Sequence, residues 1–267
     1  MKPTLRSALA VTTYRMLLPL GIVLGTVIAL GCSYWRPLQQ QRSRFRGFPA
    51  ITLWAWERPE DLRGLDSRRY AVAYLDQTIG LTNTVEVVPR RQPLAVSPDM
   101  KLIAVVRIEA QAGNADLSEP SLPKKLAGII TDSWPDRRPS ALQIDFDARQ
   151  TQRAFYAALL QELRRRLPPD MPLSVTALAS WCAFDDWIGK LPIDEAVPMF
   201  FRMGPDHPPS DSPGWNYPIR EPLCRGAAGV SADEAWPKLE SGTRLYIFHP
   251  RAWNLVALSN LEGDMPR

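Results

Sequence analysis

The sequence predicts an α/β fold, a compact (β/α)8 barrel of the TIM type placed after an N-terminal signal or membrane anchor. Three observations lead there. Short apolar runs rich in Val, Ile, Leu and aromatic residues recur eight times, as buried parallel strands do. Stretches able to form helices lie between them, and about 220 residues follow the N-terminal segment, enough for a small barrel with abbreviated helices. A doubly wound open sheet is the competing arrangement, but no Gly-rich dinucleotide fingerprint or phosphate loop follows any of the runs.

Residues 1–32 read as a signal peptide or anchor. Lys2, Arg6 and Arg15 precede the uncharged stretch Met16 to Gly31, a charged region followed by an apolar one. The stretch is slightly short of the roughly 20 residues that span a bilayer core. Ile28-Ala29-Leu30-Gly31-Cys32 resembles a bacterial lipobox, which makes Cys32 the candidate lipidation site, with an uncleaved anchor as the alternative. Either way the remainder is expected outside the cytoplasmic membrane, in the periplasm or cell envelope, with the membrane as a partner through the N-terminus.

Residues 33–48 read as a basic linker. Arg36, Arg42, Arg44 and Arg46 are placed to touch anionic headgroups or simply to face solvent. The first 46 residues hold seven of the 32 basic side chains and no acid, so the rest carries 25 basic against 28 acidic residues. An exported, slightly acidic domain is a poor nucleic-acid binder, and no nucleic-acid partner is expected.

The domain itself, 49–267, has candidate strands at Ala50–Trp56, Tyr70–Leu75, Leu102–Ile108, Ala141–Phe146, Leu173–Leu178, Ala196–Phe201, Ala227–Ser231 and Arg244–His249. The clearest helix is Thr151–Leu167: Phe155, Leu159, Leu163 and Leu167 recur at four-residue spacing, Arg164 to Arg166 suit a helix C-terminus, and Pro168-Pro169 ends it. Shorter helices are expected at Lys124–Ile130 and Asp185–Leu191.

Chemistry concentrates at the fourth run, Ala141 to Ala148, which ends Asp145-Phe146-Asp147. Side chains alternate along a strand, so Asp145 and Asp147 share one face at its C-terminal end, the active-site end of a β/α barrel. The bland roles are a helix cap for Asp147 and a structural hydrogen bond for Asp145. Glu57, Asp76, Glu109 and Glu234 follow other strands and could reach the same mouth as further acids. Trp54, Trp56, Trp181 and Trp215 cluster near it, with Trp181 and Trp215 the candidate sugar platforms and Trp215 inside a Pro-rich loop able to act as a lid. Arg202 could bind a carboxylate or phosphate or pair with a barrel acid, and His249 ends the last strand as a ligand contact or a structural histidine. No metal-type Cys or His spacing and no serine-hydrolase elbow is present, so no metal and no cofactor is expected. Cys182 and Cys224 form either a disulfide or two buried thiols.

The segments QIDFDARQTQRAFYAALLQELRRRLP, PLSVTALASWC, DEAVPMFFRMG and GVSADEAWP resemble an uncharacterised family of exported bacterial proteins, domain of unknown function 3142, from about Ile51 to Trp253. The resemblance implies a glycoside-hydrolase-like barrel and brings no established activity. The Asp-Phe-Asp strand is also similar to the aspartate-rich fourth strand of chitinase-type glycoside hydrolases. Those enzymes carry a glutamate acid two residues after the last aspartate, where this chain has Arg149.

The expected function is therefore a carbohydrate-active envelope barrel acting on a polysaccharide, possible catalytic groups being Asp145 and Asp147 with Glu57 or Glu234, and Trp181, Trp215, Arg202, Glu109 and His249 in substrate binding. The alternative is a noncatalytic glycan-binding or scaffold module.

Overall fold

A computed structural model of the chain describes residues 44–110, 117–134, 138–202, 218–254, 257–259 and 261. The strands are β1 (Ile51–Ala55), β2 (Glu60–Leu62), β3 (Tyr70–Leu81), β4 (Val85–Pro89), β5 (Leu94–Val96), β6 (Leu102–Ala110), β7 (Ala141–Asp145), β8 (Leu173–Leu178), β9 (Glu195–Met199), β10 (Ala227–Ser231) and β11 (Arg244–Phe248). The helices are α1 (Leu122–Thr131), α2 (Arg153–Arg166) and α3 (Ala179–Phe184).

Parallel pairing runs from β3 through β6, β7, β8, β9 and β10 to β11, and β1 pairs with both β11 and β3. The eight strands therefore close into a barrel, and the open-sheet alternative is excluded. All eight predicted strands coincide with barrel strands. The sequence pattern did not reveal that β3 continues past β1: its first half pairs with β1, while Gln77 to Leu81 pair antiparallel with β4. The β3–β4 hairpin thus continues the sheet beyond the C-terminal end of β1.

Alternation sorts the apolar residues into layers. Trp54, Val105, Val197 and Tyr246 fill the inside. On the outer face Leu126 and Ile130 of α1 and Tyr156, Leu159 and Leu163 of α2 pack on Ile144 of β7 and Val175 of β8. A separate layer around β1 and β11 takes in Leu62, Met100 and Trp253. Helix α2 stops where predicted because Leu167, preceding Pro168, is extended (φ −68°, ψ 145°). The helix expected at Asp185–Leu191 is instead a single 3₁₀ turn, Ile188–Lys190. The chain turns at Asp185, which pairs with Arg153, and brings Trp187 against Trp181 and Tyr156. The helical segment lies earlier, in α3, whose Cys182 is disulfide-bonded to Cys224 with Cα atoms 5.9 Å apart. A cross-link over that length of chain contributes about 2–4 kcal/mol.

Residues 44–48 are not linker. Arg44 donates to Asp194 at 2.6 Å and Phe45 is buried among the barrel-lining residues, with Arg244 stacked over its ring at 4.5 Å. The physical reason lies at the N-terminal ends of the strands. Asp194 also meets Arg164 at 3.3 Å, and the buried Glu195 is held by Arg244 at 2.5 Å and by the Tyr246 hydroxyl, which donates to it. The charge of Arg44 is thus drawn to a buried carboxylate, and the Phe45 ring covers Arg244. The rest of the predicted anchor and linker, residues 1–43 with Cys32, lies outside the described residues. No helix among the described residues is long and apolar enough to cross a membrane.

Burial pushes the carboxyls of Glu60, Asp76, Asp145, Asp194 and Glu195 above the ordinary range, against the pull of neighbouring donors and cations. A carboxyl raised in the folded state gives stability that is fully present below its unfolded pKa and is lost as the pH climbs through its folded one. These five groups all act in that direction, so melting temperature should be higher at about pH 5 than at about pH 7.5. Arg244→Ala strips Glu195 of its cation and should cost about 3 kcal/mol or more at neutral pH and less at pH 5, because a lower pH favours the neutral carboxyl that needs no cation. Thermal unfolding at both pH values measures this; an equal cost at each would contradict the pairing.

Candidate active site at the barrel mouth

Strand β7 sends Gln143 and then Asp145 into the barrel, with Asp147 following on the same face. At mid-height Gln143 accepts from Trp54 Nε1 at 3.2 Å and donates to Ser174 Oγ at 3.1 Å. One step higher, Asp145 accepts from Thr176 Oγ1 at 2.8 Å through one oxygen and from Arg107 at 3.2 Å through the other. Arg107 also donates to Glu109 at 2.7 Å and lies 5.6 Å over the Trp56 ring. Asp147 is exposed at the rim. Asp145, Asp147, Arg107, Glu109, Glu57 and Arg202 all line one cleft of about 760 Å³ at the C-terminal ends of the strands, whose aromatic surface comes from Trp54, Trp56, Phe201 and Phe248.

The two aspartates differ in surroundings. Burial is the main cause that raises the Asp145 carboxyl, and the Asp147 charge adds to it, while Thr176 and Arg107 pull it down. Its side chain keeps 14% exposure, toward the cleft. The pair thus offers one part-buried carboxyl whose two oxygens are engaged by Thr176 and Arg107 beside one open to solvent.

The cleft walls are fixed by backbone clamps. The guanidinium of Arg90 donates to the carbonyls of Ala55 (3.1 Å), Trp56 (2.6 Å) and Arg58 (2.6 Å), which sets the course of the chain after β1. Glu57 accepts from the backbone N–H groups of Arg91 and Gln92 at 3.0 and 3.2 Å. Val88 and Pro89 bring the β3–β4 hairpin into the cleft wall. Phe248 of β11, the strand beside β1, and Phe201, just past β9, stack with centroids 5.5 Å apart. On the floor, the lack of a side chain at Gly229 leaves room for Met199, whose sulfur would lie 2.5 Å from a Cβ there.

Several sequence-based placements are corrected. Trp181 is 6% exposed and packs against Trp187 at 5.1 Å in the helix layer, because the chain is already helical from Ala179 and carries the ring away from the mouth. Glu234 and His249 line a different depression, of about 620 Å³. Glu234 accepts from the Arg202 backbone N–H at 3.2 Å; the His249 ring contacts the Arg251 carbonyl at 2.7 Å and lies 4.9 Å from Trp253. Asp76 sits at a bulge between Leu75 and Gln77, where the alternation slips, and receives hydrogen bonds from Trp134 Nε1 and Ser133. Trp215 lies outside the described residues.

Arg107, Thr176 and Arg90 were not singled out from the sequence. The first could have been: Arg107 shares the inward parity of Ile103 and Val105, and an arginine on that face near a strand's C-terminal end has to meet an acid inside the barrel. Thr176 and Arg90 carry no comparable signal.

The family model described as Domain of unknown function (DUF3142) matches residues 99–197, the segment that contains Arg107, Asp145, Asp147 and Thr176. No curated protein matches the chain. Similar solved structures include the chitinase domain of the spore coat protein CotE from Clostridium difficile, at 14% identity and a TM-score of 0.40, covering 58% of this chain and 50% of that one. A family GH18 chitinase from Chromobacterium violaceum is 12% identical with a TM-score of 0.47, covering 75% and 78%. A GH18 chitinase from Pseudoalteromonas aurantia is also 12% identical, with a TM-score of 0.47 and coverage of 74% and 93%. The chain spans about half the length of the first of these. The likeness concerns the fold alone.

Arg107→Gln removes the cation nearest Asp145 while Thr176 stays in place, so the Asp145 carboxyl should titrate at a still higher pH. Carbon-detected NMR of the side-chain carboxyl follows this directly. A midpoint that stays put or falls would show that Arg107 does not hold that carboxylate.

Proposed function

From the cleft of a chain whose residues 99–197 match that family, we propose a carbohydrate-active barrel that binds a polysaccharide segment across its mouth and hydrolyses it. One observation carries the reading: Asp145, Asp147 and Glu57 converge with Trp56, Phe201 and Phe248 on a single open cleft. Flat apolar rings suit the C–H faces of sugars, and carboxyl groups suit their hydroxyls. In the hydrolytic step Asp147 is the exposed carboxyl facing the sugar and assists the water that replaces the leaving sugar at the anomeric carbon, while Asp145 lies beside it, held by Thr176 and Arg107.

A second reading, binding without cleavage, is favoured by a specific feature. Arg149 is exposed and lines the small depression beside the aspartates. A proton donor is absent from that position, and Glu57 already accepts two backbone N–H groups.

The protein is further proposed to be exported and held at a membrane by its N-terminal segment. The uncharged stretch Met16 to Gly31, with Cys32 behind it, supports this, and the Cys182–Cys224 disulfide suits an oxidising compartment.

The test uses the full chain and its Asp147→Asn variant against bacterial cell-wall and exopolysaccharide fragments, following thermal stabilisation and products by mass spectrometry. A glycan that stabilises both proteins and is cleaved at least about 100-fold faster by the wild type is the expected result. Stabilisation without any product selects the binding module. Equal cleavage by both proteins would remove Asp147 from the chemistry.

A further inference from the structure

The charges that line the cleft divide into those already matched within the protein and those that are not. Arg107 is matched by Glu109 at 2.7 Å and Asp145 at 3.2 Å. Asp145 is matched in turn by Arg107 and Thr176, and Glu57 by the two N–H groups of Arg91 and Gln92. Two guanidiniums remain. Arg91 contributes its backbone N–H to Glu57 and lines the cleft, and Arg202 lines it from the opposite, β9, side. Among the described residues neither guanidinium forms an ion pair. Against them stands one carboxylate in the same condition, Asp147.

Arg202 has a second distinction. Its φ is +50°, and it is the non-glycine residue with positive φ among those described. A bulky side chain there costs stability and persists only where the surroundings enforce it. Here they do: the Glu234 carboxylate accepts the Arg202 N–H at 3.2 Å, and the guanidinium lies 4.9 Å over the Phe248 ring, which is stacked on Phe201. The strained backbone therefore delivers a flat, aromatic-backed cation to the cleft wall. A neutral sugar can accept only single hydrogen bonds from it through hydroxyl oxygens, whereas a carboxylate pairs with a guanidinium through two parallel, charge-assisted hydrogen bonds.

We propose that the cleft selects an acidic polysaccharide, one carrying sugar carboxylates, and that Arg202, assisted by Arg91, is the specificity-determining anion contact. The proposal rests on the glycan-binding reading of the cleft and adds to it the class of glycan.

The experiment measures binding of the full chain to a polyuronate and to the same polymer after its carboxyls have been reduced to alcohols, at low and high salt. Wild type should bind the acidic form at least about tenfold more tightly, with the preference shrinking as salt rises. Arg202→Gly is the decisive variant, since glycine accepts φ +50° without strain. Its melting temperature should equal or exceed that of the wild type, while its preference for the acidic polymer falls about tenfold and its affinity for the reduced one is kept. Arg202→Lys, which retains charge but not the planar fork, should fall between the two. Tighter binding of the reduced polymer, or an unchanged acidic preference in Arg202→Gly, overturns the proposal and leaves the glycan-binding reading standing. Binding of neither polymer form, with neutral cell-wall fragments also failing to bind, overturns both.

Discussion

Closure of the sheet is the constraint on which everything else rests. Strand β1 pairs with β11 on one side and β3 on the other, and because all eight barrel strands are parallel their C-terminal ends share one rim. Alternation then allows only every second residue to face inward, and those residues, drawn from strands distant in sequence, form the interior and the mouth. Asp145 and Thr176, 31 positions apart, meet because β7 and β8 are neighbours, whereas Trp54 and Gln143, 89 apart, meet across the interior because the sheet closes.

The interior is not uniformly apolar. Polar contacts occur at three levels: Glu195 with Arg244 and Tyr246 toward the N-terminal ends, Gln143 with Trp54 and Ser174 at mid-height, and Asp145 with Thr176 and Arg107 below the mouth. Glu195 and Asp145 each have a cation and a hydroxyl, which is what keeps such groups tolerable in a low-dielectric interior. The lowest level is sealed by Phe45 over Arg244, whereas the highest opens into the cleft. The same chemistry is structural at one end and available to a ligand at the other. Rigid supports around the mouth, including the Arg90 clamp on three carbonyls, hold Trp56 and Glu57 in place without a ligand's help, the preorganisation a binding site needs.

The barrel was legible in the sequence because its strands are short apolar runs with clear punctuation, and helix α2 because its leucines recur at helical spacing up to Pro168. Asp145 and Asp147 were legible through strand parity and position. What escaped did so for local reasons. Asp76 has the outward parity of Val72 and Tyr74 and meets Trp134 and Ser133, and the bulge beside it shifts the alternation so that Thr78 rather than Gln77 lines the cleft, which no composition rule registers. The β3–β4 hairpin was hidden because Gln77 to Leu81 continue a strand whose first half already satisfied the pattern. Arg44 and Phe45 looked like linker beside other basic residues, since their partners Asp194 and Arg244 lie about 150 and 200 positions away, beyond the reach of local-pattern reading. Glu234 and His249 follow barrel strands as predicted, yet the turns after β10 and β11 carry them to a neighbouring depression.

The central claim is that the mouth formed by β1, β6, β7 and β9 is where a sugar binds. A crystal structure of the full chain with a bound oligosaccharide tests it most directly. The account predicts a pyranose ring against Trp56 or Phe201 with its hydroxyls within hydrogen-bond distance of Asp147. An oligosaccharide seated instead in the depression beside Glu234 and His249, with the mouth empty, would contradict it.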